Sequence, residues 1–357
     1  MGTSETITVA VAGASGYTGG ELLRLLLGHP RVRITVVTSE KSAGSPVAAS
    51  FPHLASALSL SFEALAPEEI AKRADVIFLA LPHTKSLTPV AACRAAGKHV
   101  IDLSADYRLK DPALYETWYQ TPHLHPNLLR ESVYGLPELH RDAIKTAKLV
   151  ASPGCYPTAA ILQMAPLVAK GLVTPDTLVI DAKSGVSGAG RSPALPYHFP
   201  EAHESIEAYK VGRHRHIPEI EQELGLLSRR SATKTAALRV AFTPHLVPMN
   251  RGILSTAYSR LREPLGQDEV RALFAEFYQG EPFIRLQSGT ASANPRNVRG
   301  SNFCDLSAFA DTRSGWVVTV AALDNLVKGA AGQAIQAMNL MLGFPEDMGL
   351  RSPGVFP

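Results

Sequence analysis

The stretch Ile7-Thr8-Val9-Ala10-Val11-Ala12-Gly13-Ala14-Ser15-Gly16-Tyr17-Thr18-Gly19 decides how the first half of the chain folds. Ile7 to Ala12 is apolar and β-branched, which is typical of a buried strand. Three glycines follow, and then a helical pattern from Glu21 to Leu27. The order strand, glycine turn, helix is typical of the first βα unit of a nucleotide-binding sheet.

The glycine spacing is G-x-x-G-x-x-G rather than the commoner G-x-G-x-x-G. Glycine lets the backbone approach a pyrophosphate closely, and the N-terminus of the following helix attracts its charge. A plain βα turn without a ligand is the alternative. We predict a dinucleotide site whose contacts are Gly13, Ser15, Gly16, Tyr17, Thr18 and Gly19.

The residues after the second predicted strand, Val32 to Thr38, indicate which dinucleotide binds. NAD sites usually carry an acidic residue there, which holds the ribose 2′-hydroxyl. This chain has Ser39, Glu40 and Lys41, and a hydroxyl with a lysine suits a 2′-phosphate. We predict NADP(H), with Ser39 and Lys41 as contacts, although Glu40 weighs toward NAD.

Further strands and helices alternate along the first half. Ala74 to Leu81 and His99 to Leu103 read as strands, with a helix from Leu87 to Ala96 between them. This alternation predicts a parallel sheet with right-handed crossovers. Pro82 directly follows the first of these strands and is predicted to contact the cofactor.

Arg108 follows the strand that ends at Leu103, where the carboxyl ends of parallel strands face a ligand crevice. It is therefore a candidate anion anchor; a surface pair with Asp106 or Asp111 is the alternative. From Asp111 to Leu139 the chain is rich in Pro, Tyr and His and is predicted to be a long ordered excursion.

The second half is richer in strand patterns and predicts a mixed α+β domain built on an antiparallel sheet. The predicted strands are Thr177 to Ala182, Ala237 to Thr243, Ile253 to Ser259 and Trp316 to Ala322. A last helix runs from Val327 to Leu342 and is able to close back on the first domain. We expect an NADP-binding domain at 1–154, completed by 324–357, and a catalytic and oligomerisation domain at 155–323.

The stretch Ser152-Pro153-Gly154-Cys155-Tyr156-Pro157-Thr158 joins an apolar run to a helical pattern from Thr158 through Leu167. Free amides at a helix N-terminus favour thiolate over thiol, and they also stabilise an oxyanion on a carbonyl attacked by that sulfur. A buried structural cysteine is the alternative. The flanking Gly154 and Pro157 favour Cys155 as a nucleophile.

Two loops of the second half add candidate residues. The glycine- and serine-rich stretch Lys183–Arg191 suits close approach to a cofactor, with a solvated linker as the alternative. The stretch Gly212–Ile220 carries His214, His216 and Glu219, a plausible acid/base source. A zinc site is the rival, but H-x-H without a third ligand is weak and two adjacent arginines repel a cation. We predict no metal.

Composition limits the class of protein. The chain has 357 residues, a net charge of +3 and 45% hydrophobic residues. This charge is too small to indicate nucleic acid or membrane partners, and no apolar run approaches membrane-spanning length. Its three cysteines lie far apart, without disulfide or metal spacing, so we expect a cytoplasmic protein.

A thiolate together with a nicotinamide cofactor implies a particular chemistry. Sulfur attacks an activated acyl carbon, the leaving group departs, and hydride reduces the thioester to an aldehyde. Phosphate as the leaving group accounts for the basic residues of both loops. A non-catalytic NADP sensor has no need of Cys155, and a cysteine hydrolase has no need of the glycine turn.

The chain resembles the N-acetyl-gamma-glutamyl-phosphate reductases, which are related to aspartate-semialdehyde dehydrogenase. The resemblance covers nearly the whole chain and rests on several motifs together. They are GASGYTGGEL at Gly13, ALPH at Ala80, DLSADYRL at Asp102, PGCYPTA at Pro153, SGVSGAGR at Ser184, HRHIPEI at His214, TPHLVPMNRGI at Thr243 and DNLVKGAAGQAIQ at Asp324.

The resemblance implies roles for single residues. Cys155 forms a thioacyl intermediate, His216 is the acid/base oriented by Glu219, and His214 is the less favoured ring, placed with the substrate. Arg108 binds the substrate phosphate. Ser187 and Gly188 face the nicotinamide, and Asn325 contacts the cofactor.

The resemblance also implies a cytoplasmic homo-oligomer, a dimer or tetramer, that acts on a small acyl phosphate in arginine biosynthesis. A related reductase of carrier-protein-bound aminoadipyl or glutamyl phosphate in lysine biosynthesis is the alternative. Its cysteine turn differs from Cys155-Tyr156-Pro157-Thr158-Ala159, and it lacks the run Ser187–Arg191, so the arginine enzyme is favoured.

Overall fold

The computed structural model describes residues 6–230 and 238–356, and these form two compact units. The first unit contains the described residues up to Pro153 together with Ala330–Ser352. The second contains those of Gly154–Gly329 and those from Pro353 onward. Ala237, the first residue of one predicted strand, lies outside the described residues.

The described strands and helices follow in chain order. The strands are β1 Ile7–Ala12, β2 Val32–Thr38, β3 Val76–Leu79, β4 His99–Asp102, β5 Val133–Tyr134, β6 Leu149–Ala151, β7 Val179–Gly185, β8 Glu207–Ala208, β9 Ala241–Val247, β10 Ile253–Arg260, β11 Ile284–Leu286, β12 Cys304–Asp311 and β13 Trp316–Leu323. The helices are α1 Tyr17–Leu27, α2 Val47–Ser50, α3 Pro67–Arg73, α4 Leu87–Ala95, α5 Pro112–Tyr119, α6 Pro126–Glu131, α7 Pro137–Thr146, α8 Cys155–Ala169, α9 Phe199–Ala202, α10 Ile217–Arg230, α11 Gln267–Phe277 and α12 Gly332–Met341.

The first unit is built on a six-stranded sheet of order β2-β1-β3-β4-β6-β5, in which each pair is parallel. The chain leaves β1 on one side to form β2 and returns on the other side to form β3. Ligands of such sheets bind outside the carboxyl ends of the strands at this switch point. The predicted parallel sheet is confirmed.

The predicted excursion from Asp111 to Leu139 contains helices that the sequence analysis did not separate. Each of α5, α6 and α7 begins with a proline, namely Pro112, Pro126 and Pro137. Proline suits the first helical position because its fixed φ matches the helix and its missing N–H has no helical partner there. Asp111 also caps α5 by accepting from the amide of Ala113 at 2.9 Å.

The C-terminal helix α12 belongs to the first unit and packs on α1 and α7. Its polar side chains are buried, and Asn339 is fixed by a 2.9 Å hydrogen bond between its Oδ1 and Nε2 of His29. The helix starts later than predicted, because Val327–Ala331 forms a π-helical turn before Gly332.

The second unit is built on a seven-stranded sheet of order β11-β12-β13-β10-β7-β9-β8. Most neighbours are antiparallel, but β7 and β9 are parallel, as are β11 and β12. The expectation of an antiparallel sheet was therefore wrong in these two pairs, whereas the overall class, a parallel-sheet domain plus a mixed α+β domain, is confirmed.

Helix α8 is the core of the second unit and packs on β10, β13 and α10. Its residues from Tyr156 to Val168 are all buried. Pro166 lies inside it and cannot donate a hydrogen bond to the carbonyl of Leu162. The hydroxyl of Tyr278 donates to that carbonyl instead, so the interior proline leaves no unsatisfied acceptor there.

No helix in residues 6–230 and 238–356 combines the length and the apolar character needed to cross a membrane. Within the same residues, Cys93, Cys155 and Cys304 form no disulfide.

Candidate active site

Cys155 is the first residue of α8, and Gly154 is its N-cap. The helix was predicted to begin at Thr158, so the cysteine lies closer to the helix amides than the sequence pattern indicated. The hydroxyl and amide of Thr158 both donate to the carbonyl of Gly154 at 3.0 Å, which fixes the first turn. Cys155 is half-buried, whereas Cys93 and Cys304 are fully buried.

Glu219 binds the backbone of the cysteine turn. Its Oε1 accepts from the amide of Gly154 at 2.8 Å, and its side chain is only 1% exposed. This bond joins the first turn of α10 to the start of α8. Glu219 was predicted to orient His216, and its hydrogen bond to Gly154 was not predicted.

His216 lies against the same glycine. A Cβ atom placed on Gly154 would lie 2.4 Å from Nε2 of His216, so the imidazole packs directly on the Cα of the residue before Cys155. His216 is half-buried. The structure therefore brings together the three predicted catalytic residues, Cys155, His216 and Glu219, around Gly154.

His214 lies behind His216 in an aromatic cluster with Tyr156, Tyr209 and Phe242. Its Nδ1 accepts from the amide of His216 at 3.2 Å. Burial lowers the pKa of His214 to about 4, and the charges of Lys210 and Arg215 add to this. The ring is therefore neutral at physiological pH, which suits it to holding the His216 backbone more than to binding an anion.

The phenol of Tyr156, next to Cys155, is also fixed. Its hydroxyl donates to the carbonyl of His245 at 3.0 Å and receives a 3.3 Å hydrogen bond from the hydroxyl of Tyr209. Burial raises the pKa of both phenols, that of Tyr209 to about 12. Both stay protonated and act as neutral hydrogen-bonding groups near the cysteine turn.

Ser187, Gly188 and Asn325 lie together in the second unit. Nδ2 of Asn325 donates to Oγ of Ser187 at 3.0 Å, and its Oδ1 accepts from the amide of Gly252 at 2.7 Å. A Cβ atom on Gly188 would lie 2.9 Å from Oγ of Ser184. The glycine-rich loop predicted to face the nicotinamide is thus tied to Asn325.

In the first unit, the glycine turn after β1 leaves no room for a Cβ atom at two of its glycines. Gly13 has a φ of 76°, and a Cβ atom there would lie 2.5 Å from the carbonyl oxygen of Ala80. A Cβ atom on Gly19 would lie 2.6 Å from the Cα of Ala14. No acidic residue occupies the first turn of α1, so its N-terminus fits a pyrophosphate.

The other predicted cofactor residues of the first unit follow β2 and β3 in the chain. The hydroxyls of Ser15 and Ser39 lie 2.8 Å apart, which joins the glycine turn to the end of β2. Lys41 and Pro82 are exposed. Hydroxyls and an exposed ammonium group after the end of β2 fit the 2′-phosphate of NADP.

Arg108 is 4% exposed and donates hydrogen bonds to backbone carbonyls of the first unit. Its Nε donates to Ser152 at 2.7 Å and its Nη2 to Leu103 at 2.9 Å. This arginine fixes the backbone just before Pro153, a role that the sequence analysis did not foresee. Its predicted contact with a substrate phosphate stays a prediction.

Two buried carboxylates, Asp102 and Asp106, fix the backbone of the loop after β4. Asp106 accepts from the amides of Thr84 and Ser86 at 2.7 and 2.9 Å. Asp102 is fully buried beside it, and burial followed by the charge of Asp106 raises the pKa of Asp102 to about 7. These two side chains are structural residues of the loop.

Among residues 6–230 and 238–356, no group of three or more His, Cys, Asp or Glu side chains is placed to hold a metal ion.

Gly329 lies beside Cys155 and was not among the predicted site residues. A Cβ atom on Gly329 would lie 2.8 Å from that of Cys155. The available signal was the glycine of the DNLVKGAAG motif.

Two sequence models match the chain. The semialdehyde dehydrogenase NAD binding domain matches residues 8–147, and the semialdehyde dehydrogenase dimerisation domain matches residues 155–325. Among solved structures, aspartate semialdehyde dehydrogenase with NADP from Candida albicans has a TM-score of 0.69 at 16% identity, covering 95% of this chain and 99% of that one. At this identity the likeness shows the fold alone.

Two curated relatives are similar over their whole length. The N-acetyl-gamma-glutamyl-phosphate reductase of Geobacter metallireducens is 54% identical over 352 residues, which cover 98% of this chain and 100% of that protein. The protein of the same name from Desulforudis audaxviator is 48% identical over 351 residues, with the same coverage. The predicted resemblance is confirmed, and with it the class of NADP-dependent oxidoreductase. The chain belongs to the N-acetyl-gamma-glutamyl-phosphate reductase family.

Proposed function

We propose that this protein reduces N-acetyl-L-glutamyl 5-phosphate to N-acetyl-L-glutamate 5-semialdehyde with NADPH, releasing phosphate, in arginine biosynthesis. One observation carries the mechanism: Cys155 is the first residue of a helix, with His216 and Glu219 held against the glycine that precedes it. The names of the relatives support the substrate.

The first unit supplies the cofactor residues. The glycine turn and the N-terminus of α1 suit the pyrophosphate, and Ser39 and Lys41 suit the 2′-phosphate. In the second unit, the linked pair of Ser187 and Asn325 is our proposed nicotinamide contact. The bound cofactor supplies the hydride that converts the acyl group into an aldehyde.

The sulfur of Cys155 attacks the carbonyl carbon of the acyl phosphate, and a C–S bond forms. The amides at the start of α8 favour the thiolate and stabilise the negative charge on the carbonyl oxygen. The C–O bond to phosphate then breaks, and a thioester remains on Cys155. After hydride reaches the thioester carbon, the C–S bond breaks, the aldehyde leaves and the thiolate returns.

His216 acts as the general acid/base of this cycle. One proton is consumed for each acyl phosphate and NADPH converted to aldehyde, phosphate and NADP⁺. The half-buried imidazole of His216 lies against Gly154, the residue before Cys155, and this supports our proposal that it receives the thiol proton before attack and returns it to the departing group. Glu219 fixes the backbone against which this ring packs.

We further propose that the protein is a cytoplasmic homo-oligomer, a dimer or tetramer. The second unit matches a dimerisation domain, and its segment 190–213 carries several exposed large apolar side chains. These are Leu195, Tyr197, Phe199, Ile206 and Val211. Such a patch favours burial against another chain. Light scattering of the purified protein measures its mass; a monomer contradicts this proposal.

The test follows NADPH absorbance with N-acetylglutamyl phosphate as substrate. We expect rapid oxidation with the small acyl phosphate and little with a carrier-protein-bound aminoadipyl phosphate. In the reverse direction, with semialdehyde and NADP⁺ but no phosphate, NADPH formation should stop after one turnover. Intact mass should then show one acyl adduct on Cys155. An adduct elsewhere contradicts the mechanism, and preference for the carrier-bound substrate contradicts the assignment.

A further inference from the structure

The segment from Asp324 to Gly329 is fixed at several points in the second unit. Asp324 is fully buried, and its two carboxylate oxygens accept from the amides of Leu326 at 2.8 Å and Gly300 at 2.7 Å. The amide of Gly329 donates back to the carbonyl of Asp324 at 2.9 Å. These bonds leave Gly329 little freedom to move.

The same segment is tied to the glycine-rich loop by its next residue, Asn325. Its amide side chain bridges the amide of Gly252 and the hydroxyl of Ser187. The segment Asp324–Gly329 therefore binds the Ser187 loop through Asn325 and contacts Cys155 through Gly329. Gly329 itself lies within a π-helical turn, Val327–Ala331; this geometry is rare in proteins and often found at functional sites.

Gly329 packs its bare Cα on the nucleophile. A Cβ atom there would lie 2.8 Å from Cβ and 3.3 Å from Cα of Cys155. Real Cβ contacts below 3.0 Å essentially do not occur. The φ of Gly329 lies outside the left-handed region, so its backbone accepts alanine, and only space demands glycine.

The residue before Cys155 is held closely as well. Gly154 packs on the ring of His216, and its amide donates to Glu219. The backbone on the N-terminal side of Cys155 is therefore fixed, and Gly329 contacts the Cys155 Cβ. A methyl group at residue 329 must displace either the cysteine or the segment that Asp324 holds.

We propose that Gly329 is a positioning residue for the Cys155 nucleophile. Its missing side chain lets the segment Asp324–Gly329 lie in contact with Cβ of Cys155, which fixes the sulfur relative to the helix amides and the Ser187 loop. The inference takes the role of Cys155 from the proposed function, but the contact itself is testable without turnover.

The variant Gly329→Ala should lower kcat by about 10²-fold, as expected for a displacement near 1 Å, while KM and the NADPH dissociation constant stay within about twofold. The pH profile of Cys155 alkylation by iodoacetamide, measured without substrate, should shift. The matched control is Gly225→Ala in α10, where the nearest atom to a new Cβ lies 4.0 Å away. Wild-type kcat together with a wild-type alkylation profile in Gly329→Ala overturns the proposal.

A double-mutant cycle with Cys155→Gly tests the contact by thermal unfolding and does not depend on activity. Removing the Cβ of Cys155 should restore most of the stability, and the soluble yield, that Gly329→Ala loses. An equal loss in both backgrounds contradicts the contact. If the wild type fails to reduce the acyl phosphate but the cycle shows coupling, the proposed function fails and the contact stands.

Discussion

The glycine turn after β1 and the cysteine turn after β6 both lead into a helix whose N-cap is glycine, yet their glycines make room for different groups. In the first turn, the missing Cβ of Gly13 faces the backbone of Ala80 at 2.5 Å. In the second, the missing Cβ of Gly154 faces the ring of His216 at 2.4 Å. Glycine brings two backbones together in one turn and a side chain against the backbone in the other.

The two helix N-termini are accordingly used in different ways. The first turn of α1 carries no acidic residue, and no carboxylate is bonded to its N-cap among the described contacts. At α8, the carboxylate of Glu219 accepts a hydrogen bond from the amide of Gly154. We infer that the first turn receives a ligand anion, whereas the second carries its reactive anion on the chain, at Cys155.

The largest effect should follow from removing that anion. Cys155→Ser keeps the shape but offers a hydroxyl of far higher pKa, so turnover should fall on the order of 10⁴-fold or more. NADPH binding, measured by fluorescence, should remain. In the wild type, iodoacetamide should label Cys155 first, because Cys93 and Cys304 are fully buried and burial raises the pKa of Cys93 to about 11. Substantial activity in the serine variant would remove the covalent step.

The second effect concerns the ring against Gly154. His216→Asn should lower kcat by about 10²–10⁴-fold, the range for a lost acid/base group. His214→Asn is the matched control, since an asparagine oxygen can accept from the amide of residue 216 as Nδ1 does now. If the control loses more activity than His216→Asn, the acid/base role belongs to His214.

Exchanging each glycine for alanine tests the comparison directly. Gly13→Ala combines a positive φ with a clash on Ala80, so NADPH affinity should fall roughly tenfold or more while Cys155 alkylation stays unchanged. Gly154→Ala should change alkylation and leave NADPH affinity intact. An equal loss of NADPH affinity in both variants would show that cofactor binding does not belong to the glycine turn alone.

Several strands of the nucleotide-binding sheet were predictable because their patterns are local, whereas β5, Val133–Tyr134, lies in the stretch that was predicted only as an excursion. Ile7–Ala12 and Val32–Thr38 are short, largely apolar runs bounded by glycine or polar residues, and the structure has the same bounds. The parallel pairing of β7 with β9 was not predictable. It joins segments about 60 residues apart, and nothing in either segment specifies its neighbour's direction.

The candidate site divides in the same way. The cysteine at a helix start follows from adjacent residues, so the sequence alone indicated Cys155. The bond from Glu219 to Gly154 and the contact of Gly329 with Cys155 join residues far apart in the chain. A motif shows that such residues are present but not which atoms they contact. Those contacts depend on how α8 packs against α10 and against the segment Asp324–Gly329.

A pH-dependent loss of stability should follow from His214. Its pKa is about 4 in the folded protein and 6.5 in the unfolded chain, so between these values the unfolded chain binds a proton that the folded one does not. Stability from this group is complete above about pH 6.5 and is lost as the pH falls toward 4, by up to about 3 kcal/mol. Denaturant unfolding of wild type and His214→Asn should give a difference that shrinks in this window. A constant difference contradicts the burial of a neutral ring.

The smallest effect should be found at Lys41, which follows the end of β2. Its ammonium group is exposed, and an exposed ion pair contributes about 1 kcal/mol or less, so Lys41→Ala should weaken NADPH binding roughly fivefold. NADH lacks the 2′-phosphate and should bind the variant as it binds the wild type. Lys145→Ala is the control, since Lys145 pairs with Asp142 on α7. Equal weakening of both cofactors would mean that Lys41 does not contact the 2′-phosphate, and the preference for NADP would then depend on Ser39 and its neighbour Ser15.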